Sequence, residues 1–251
     1  MNRSESGFTL VELLVSMAMA GIVVGVIYAA YTIQIRIYTE QGKVAEMQQN
    51  IRGAVTYLRH EGVMAGYNPR DERHASCGVP GGTTAVAPGV HTATASEFGF
   101  SMDLNGDGDC ADTGENVTYT VYVDAANTPK LGRNDNTNAA AQQPVAEHIT
   151  HIQFVYLFEP PEKGSPAAAT AKAPTSTPTA ADLDEIAAVQ VTLLARGSTP
   201  DRKKKVTETF IAPVPDAWGK PTADPPVWQT FTDTYSRRLL TTTINLRNMG
   251  L

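Results

Sequence analysis

The chain has 251 residues, of which 20 are Lys or Arg and 26 are Asp or Glu, so its formal net charge is −6 at pH 7. This acidic balance argues against a surface built to bind nucleic acid. The two cysteines fit an oxidising compartment, and the length after the N-terminal apolar segment suffices for one domain with its own core.

The apolar segment near the N-terminus carries a single acid. Residues 7–15 read GFTLVELLV, and no further charge occurs from Ser16 to Tyr31. The run is long enough for a helix that spans a bilayer. Because a carboxylate in hydrocarbon is costly without a partner, Glu12 is predicted to have a function, with its partner in another subunit.

Two other interpretations of this segment are open. A secretory signal peptide would be cut near Ala20, but Glu12 would then lie inside the short apolar region, and the apolar run continues to Tyr31. A plain single-pass anchor with an incidental acid is the other alternative.

The helix is predicted to continue beyond the membrane. Residues 8–33 would span the bilayer, and residues 34–62 would pack on a head through one apolar stripe. Asn68 and Pro69 end the helical pattern. Apolar residues recur there at spacings of three and four: Val44, Met47, Ile51, Ala54, Val55 and Leu58.

Residues 63–251 are predicted to form a β-rich head, so the fold class is α+β, with the long helix packed on a mostly antiparallel sheet. Residues 159–182 are rich in Pro, Ala and Thr and predict a flexible surface loop. A second Pro-rich span, 213–226, is predicted to be pinned to the head by Trp218 and Trp228. The predicted strands lie at 98–102, 117–123, 149–158, 186–194, 206–211 and 239–246.

The first two strands are joined by an acidic loop, residues 103–115, which reads DLNGDGDCADTGE. Its acids alternate and a glycine stands at the sixth place, as in the opening of an EF-hand calcium loop. The twelfth place is glycine, and strands flank the loop, so it is not a full EF-hand. The alternative is an acidic hairpin turn without an ion. The predicted Ca²⁺ ligands are Asp103, Asn105, Asp107, Asp109 through its backbone carbonyl, and Asp112 or Glu115.

The cysteines, the histidines and the basic run do not by themselves predict a functional site. Cys77 and Cys110 form either one disulfide or two separate thiols. His148 and His151 lie three apart in a predicted strand, on opposite faces, which disfavours a shared metal. The basic run 202–205 is read as a solvated turn, with phosphate or DNA contact as the alternative. Since no catalytic or nucleotide-binding motif occurs, neither an enzyme nor an organic cofactor is expected.

Residues 7–15 resemble the leader and mature start of type IV pilins and pseudopilins. The resemblance implies that a prepilin peptidase cuts between Gly7 and Phe8 and methylates Phe8. It also implies that Glu12 pairs with the N-terminal amine of Phe8 of a neighbouring subunit. Three later segments, ending with RRLLTTTINLRN at 237–248, resemble PilW-type minor pilins; the others are DLNGDG at 103–108 and ITHIQFVY at 149–156.

That resemblance implies a non-enzymatic minor pilin that takes part in assembly of a type IV pilus. Its expected partners are the prepilin peptidase, other major and minor pilins, the inner-membrane assembly machinery and the lipid bilayer. The expected location is the inner membrane, with a periplasmic head, followed by a cell-surface pilus. Two alternatives stay open: a J-type pseudopilin of a type II secretion system, and a DNA-uptake or adhesive pilin-like subunit.

Overall fold

The computed structural model describes residues 7–136, 142–159, 172–201, 205–213 and 227–249. The chain divides into two compact units, Met1–Ala45 and Glu46–Leu251. Each unit is described by itself.

The N-terminal unit is the first part of a single helix, α1, which covers Leu10–Gly62. Every residue from Gly7 to Thr39 is exposed. Within the described residues, α1 is the one helix long and apolar enough to cross a membrane. An apolar surface of this size exposed to water would be strongly unfavourable, whereas lipid satisfies both the side chains and the internally bonded helix backbone.

In the second unit, the end of α1 lies on the core of the head. Its buried residues repeat every three or four positions: Met47, Ile51, Ala54, Leu58 and Gly62. The predicted apolar stripe is therefore the packed face of this part of the helix. At Gly62 there is no side chain, and the Cβ of any larger residue would lie 3.2 Å from Ile244.

The head consists of strands in three antiparallel sheets. The first sheet has the order β1-β2-β3-β4-β5, the second β10-β7-β6, and the third contains β8 and β9. The strands are β1 (Val90–Ala93), β2 (Phe98–Ser101), β3 (Asn116–Val123), β4 (Pro129–Asp135), β5 (Gln143–Glu147), β6 (Ile149–Phe158), β7 (Ile186–Arg196), β8 (Val206–Ile211), β9 (Val227–Asp233) and β10 (Arg237–Asn245).

The predicted α+β class and antiparallel pairing are confirmed, but the strands form three sheets instead of one. Strands β1, β4, β5 and β9 were missed in the sequence. β4 and β5 contain Pro129 and Pro144, and their alternation is interrupted by Gly132, which weakens the strand pattern. The tertiary pairing with β3 overrides this local preference.

The core lies between the first two sheets and the end of α1. Phe98 is fully buried, and its ring lies 5.0 Å from that of Phe100 and 5.5 Å from that of Phe154. On β7, alternate residues face this core, as a strand with period two requires. They are Val189, Val191, Leu193 and Ala195.

The third sheet lies against the other face of the second sheet. His151 on β6 contacts the ring of Phe231 on β9 at 5.2 Å, and the Arg237 guanidinium lies 3.8 Å from the same ring. Because polar and charged side chains make up much of this layer, it is more polar than the core.

Part of the predicted flexible loop has regular contacts. Thr175 forms an antiparallel bridge with Tyr156, and Ala180–Glu185 is a short 3-10 helix. Lys172 pairs with Asp182 and Glu185. The rest of that loop, at 160–171, the basic residues 202–204, Trp218 and the side chain of Trp228 lie outside the described residues.

Candidate functional site

The start of α1 holds Glu12 in a capping box with Thr9. The backbone N–H and the hydroxyl of Thr9 each donate to Oε2 of Glu12 at 3.0 Å. In return, the N–H of Glu12 donates to the Thr9 hydroxyl at 3.3 Å. This Thr-x-x-Glu arrangement is a common helix N-terminus signature, and it satisfies N–H groups that have no partner within the helix.

The same capping box explains how the helix tolerates an acid in its apolar segment. Glu12 also lies in the first turn, where the helix dipole favours a negative charge. The predicted cleavage site, between Gly7 and Phe8, lies just before the box, and both residues are exposed. The three predicted residues of processing and assembly are thus adjacent at the start of α1, with the acid held toward the site of cleavage.

The acidic loop, residues 103–115, is closed by carboxylates that accept backbone N–H groups. Asp103 is 1% exposed and accepts from the N–H of Gly106 at 2.6 Å and from that of Gly108 at 3.0 Å. Gly108 has φ +96°, and a Cβ there would collide with the carboxylate of Glu72. The positive φ of this turn therefore favours glycine at the sixth place, whereas the Glu72 carboxylate, at the end of an exposed side chain, can move aside.

Glu115 closes the other end of the acidic loop. Its carboxylate accepts the N–H groups of Leu104 at 2.8 Å, Asn105 at 3.3 Å and Asp112 at 3.2 Å. Burial raises the pKa of Glu115, while these N–H bonds act in the opposite direction. The residue therefore fixes both ends of the loop from inside the head.

The exposed side of the acidic loop brings two more acids to Asn105. The Asn105 amide donates to Asp107 at 3.1 Å and to Asp112 at 2.5 Å. The N–H of Asp109 donates to Asp107, which lowers the pKa of Asp107. The side chain of Asp109 accepts the N–H of Ala111, so it is directed along the chain.

A disulfide between Cys77 and Cys110 ties the acidic loop to the segment before β1. Both cysteines are buried, and the N–H of Cys110 donates to the hydroxyl of Ser76 at 2.8 Å. The sequence left open one disulfide or two separate thiols, and the structure contains the disulfide.

Within the part of the chain that the structure describes, no three His, Cys, Asp or Glu side chains are grouped to hold a metal ion. The predicted calcium ligands do lie together in one loop, but their oxygens accept N–H groups. Calcium binding therefore stays a prediction. His148 and His151 do not converge either: His148 faces Glu46 at 4.0 Å and His151 faces Phe231.

A buried charged network at the end of α1 was missed in the sequence. Nε of Arg133 donates to both oxygens of Glu61 at 3.0 Å, and the Tyr119 hydroxyl donates to Glu61 as well. Arg133 also lies 3.7 Å from Asp135, which accepts the N–H of Gly114 at the end of the acidic loop. No local pattern predicts this network, because its members come from the helix, β3, β4 and the loop.

Comparisons with known proteins agree with the geometry of the N-terminus. Residues 118–248 match the family model of the type IV pilus-assembly protein W, and residues 2–28 match the prokaryotic N-terminal methylation motif. No curated protein sequence matches the chain. Among solved structures, the chain is similar to the type IV-like pilin TTHA1219 from Thermus thermophilus. The identity is 13%, the match covers 81% of this chain and 98% of that chain, and the TM-score is 0.41.

The two matched regions include the start of α1 with its capping box and all of β4 to β10. Because the first match alone covers more than half of the sequence, the chain belongs to the PilW family of type IV pilus-assembly proteins, whose members are minor pilins and not enzymes.

Proposed function

We propose that this minor pilin enters the inner membrane as a precursor and is cut by a prepilin peptidase between Gly7 and Phe8. The new N-terminal amine is carried by Phe8. Glu12 then pairs with the Phe8 amine of a neighbouring subunit, and this pair brings the chain into a growing pilus, where it primes or takes part in assembly.

The observation that carries the proposal is the capping box at the start of α1, whose apolar first part is exposed as far as Thr39. In the single subunit Glu12 has only the neutral donors of Thr9 among the described residues. A bond between a carboxylate and a charged amine is stronger than a bond to a neutral donor. In a water-poor environment, an acid and an amine that are desolvated together cost far less than either charge alone. The Glu12 carboxylate therefore gains free energy when the charged amine of a neighbouring Phe8 replaces the neutral donors of Thr9, and this gain favours the assembled state.

The same geometry supports the proposed location. Residues 8–33 would hold the chain in the inner membrane, with the head in the periplasm, until the subunit is extracted into a cell-surface pilus. The disulfide between Cys77 and Cys110 fits this oxidising compartment. The proposed partners are the prepilin peptidase, other major and minor pilins, and the inner-membrane assembly machinery.

Substitution of Glu12 tests the proposal in cells that carry the variant as their only copy. Glu12→Ala is expected to be processed and inserted normally but to be found in sheared pili at a level at least about tenfold lower, since each 1.4 kcal/mol lost is a factor of ten. Glu40→Ala removes another acid of the same helix, one that pairs with Lys43 at 3.2 Å, and serves as the matched control. Normal incorporation of Glu12→Ala would overturn the proposed pairing.

The family match favours a type IV pilus over the two alternatives. A J-type pseudopilin of a type II secretion system shares the same kind of anchor, and a DNA-uptake or adhesive subunit would use the same membrane helix. Deletion of the gene separates the three functions. Loss of pili and twitching supports the proposal, loss of protein export alone supports the pseudopilin, and normal pili with lost DNA uptake or adhesion supports the binding subunit.

A further inference from the structure

Strand β10 forms an open edge of the second sheet. It pairs with β7 over nine consecutive positions, from Arg237 opposite Arg196 to Asn245 opposite Ala188, with no irregularity in register. On its other side, no backbone group of the described residues bonds to it. A long, regular edge of this kind presents a row of unused donors and acceptors.

The pairing with β7 shows which backbone groups point outward. The N–H of Leu246 donates to the carbonyl of Ala187, and the N–H of Gly197 donates to that of Ser236, each at 2.9 Å. Both pairs continue the register of β10 with β7. Hydrogen-bonded pairs alternate in an antiparallel ladder, so the even-numbered residues bond to β7. The N–H and C=O groups that face the open edge belong to Arg237, Leu239, Thr241, Thr243 and Asn245.

The other described edges of the two larger sheets are interrupted. β1 has only four residues and an irregular register at Val90. β5 contains Pro144, which lacks an N–H, and its pairing with β4 shifts in register. β6 is bonded on its outer side, where the N–H of Phe154 donates to Ala95 and Tyr156 bridges Thr175. Among the described edges of the two larger sheets, β10 alone is long, regular and open.

We propose that the open edge of β10 receives an extended strand from another pilin subunit and so continues the second sheet across the subunit boundary. This inference rests on the proposed function, because it needs a pilin partner. Backbone groups spaced along an edge select an extended chain as the occupant. The proposal therefore names a head-to-head contact in addition to the contact made by the membrane helix.

The positive charge of Arg238 indicates which kind of strand would pair with the β10 edge. Arg238 is exposed and has no ion pair within the described residues, whereas Arg237 pairs with Asp233. Leu240, two residues on, is 36% exposed and lies on the same face as Arg238. The expected strand places an acid next to Arg238 and an apolar side chain next to Leu240. A second copy of β10 does not meet this requirement, since β10 contains two arginines and no acid.

Co-purification of full-length subunits from membranes tests the edge. The tagged chain is expressed with each other full-length pilin of the same pilus, and with a second copy of itself that carries a different tag. Thr241→Pro removes one outward N–H at the middle of the edge. We expect it to lower recovery of the partner pilin about tenfold, because the β10 edge loses one hydrogen-bond donor and the proline ring disturbs its regular backbone geometry. Thr241→Ala also loses the hydroxyl contact with Thr192 but keeps the N–H, and it is expected to bind normally.

Charge reversal gives an independent readout that leaves the backbone unchanged. Arg238→Glu is expected to lower recovery of the same partner, whereas Arg73→Glu, at another exposed arginine of the head, is not. If Thr241→Pro shows a lowered unfolding temperature, Arg238→Glu decides the question. Partner recovery that is equal for wild type, Thr241→Pro and Arg238→Glu would overturn the edge proposal alone. Recovery of the second copy in place of another pilin would overturn the choice of partner. Failure of the wild type to recover any pilin would instead count against the proposed function.

Discussion

The hydroxyl of Tyr119 donates a hydrogen bond to the carboxylate of Glu61, and this contact joins β3 of the head to the last turns of α1. Arg133 on β4 completes the site with its own bonds to Glu61. The side chains of Arg133 and Glu61 are only 8% and 16% exposed. The position of the helix end is therefore set by a buried charge pair as well as by apolar packing.

Removal of Arg133 is expected to destabilise the head. Arg133→Met keeps much of the side-chain volume but leaves Glu61 buried without its cation, which costs about 3 kcal/mol. Denaturant unfolding of the full-length protein in detergent measures this change. Arg59→Met removes an exposed arginine two residues before Glu61 and is expected to change stability by less than about 0.5 kcal/mol. Equal stability of both variants and the wild type would show that the pair has no structural role.

The disulfide is expected to contribute more stability than any single hydrogen bond in the acidic loop. Cys77 and Cys110 are 33 residues apart. Closing a loop of this length restricts the unfolded chain and is worth about 3–4 kcal/mol. The double variant Cys77→Ala with Cys110→Ala should lower the free energy of unfolding by this amount, and a reductant should destabilise the wild type but not the variant. A reductant effect that persists in the variant would contradict this explanation.

His91 is expected to make stability depend on pH. It is buried in β1, and burial lowers its pKa from 6.5 to about 4. The unfolded chain therefore binds a proton at a pH where the folded protein does not. The stabilising contribution is complete above pH 6.5, falls as the pH decreases toward about 4, and amounts to about 3 kcal/mol over that range. His91→Gln should flatten this part of the unfolding curve against pH, and an unchanged slope would exclude His91 as its source.

Calcium binding by the acidic loop is tested by thermal unfolding. Asp107 and Asp112 lie on two sides of the Asn105 amide, and Asp103 lies at the closed end of the loop. A cation bound by these oxygens would stabilise the folded state in proportion to its occupancy. We expect calcium to raise the unfolding temperature of the wild type but not of Asp103→Ala with Asp107→Ala. Magnesium, which demands a more rigid octahedral site, is the control. A wild type without a calcium response would contradict the prediction.

The sequence predicted those structural features that are encoded by residues close together in the chain. The stripe from Met47 to Leu58 has the helical period, so the packed face of α1 was evident from the sequence. The acidic loop between β2 and β3 was evident in the same way, since its turn residues stand between two alternating runs. The division of the strands into three sheets was not, because register and sheet order depend on contacts between distant segments.

The charged network at the end of α1 could not be predicted for the same reason, because it joins residues from distant segments. Glu61 lies 72 residues from Arg133, so no spacing rule connects them. The contact of Glu12 with Thr9 was also not predicted, although the two residues are three apart and form a recognised helix signature. Function in this chain was readable where its chemistry is local, at the N-terminus.

Processing at the N-terminus gives the last prediction. Gly7 has nothing within 4 Å of the position of a Cβ, so a larger residue there fits the structure. Any effect of Gly7→Glu must then come from recognition by the peptidase and not from folding. We expect the variant to keep the mass of the uncut precursor in membrane extracts, whereas the wild type loses residues 1–7 and gains a methyl group on Phe8. Gly21→Ala, at a glycine of the same helix with equally open surroundings, is expected to be cut normally. A mature mass in Gly7→Glu would contradict cleavage at this bond.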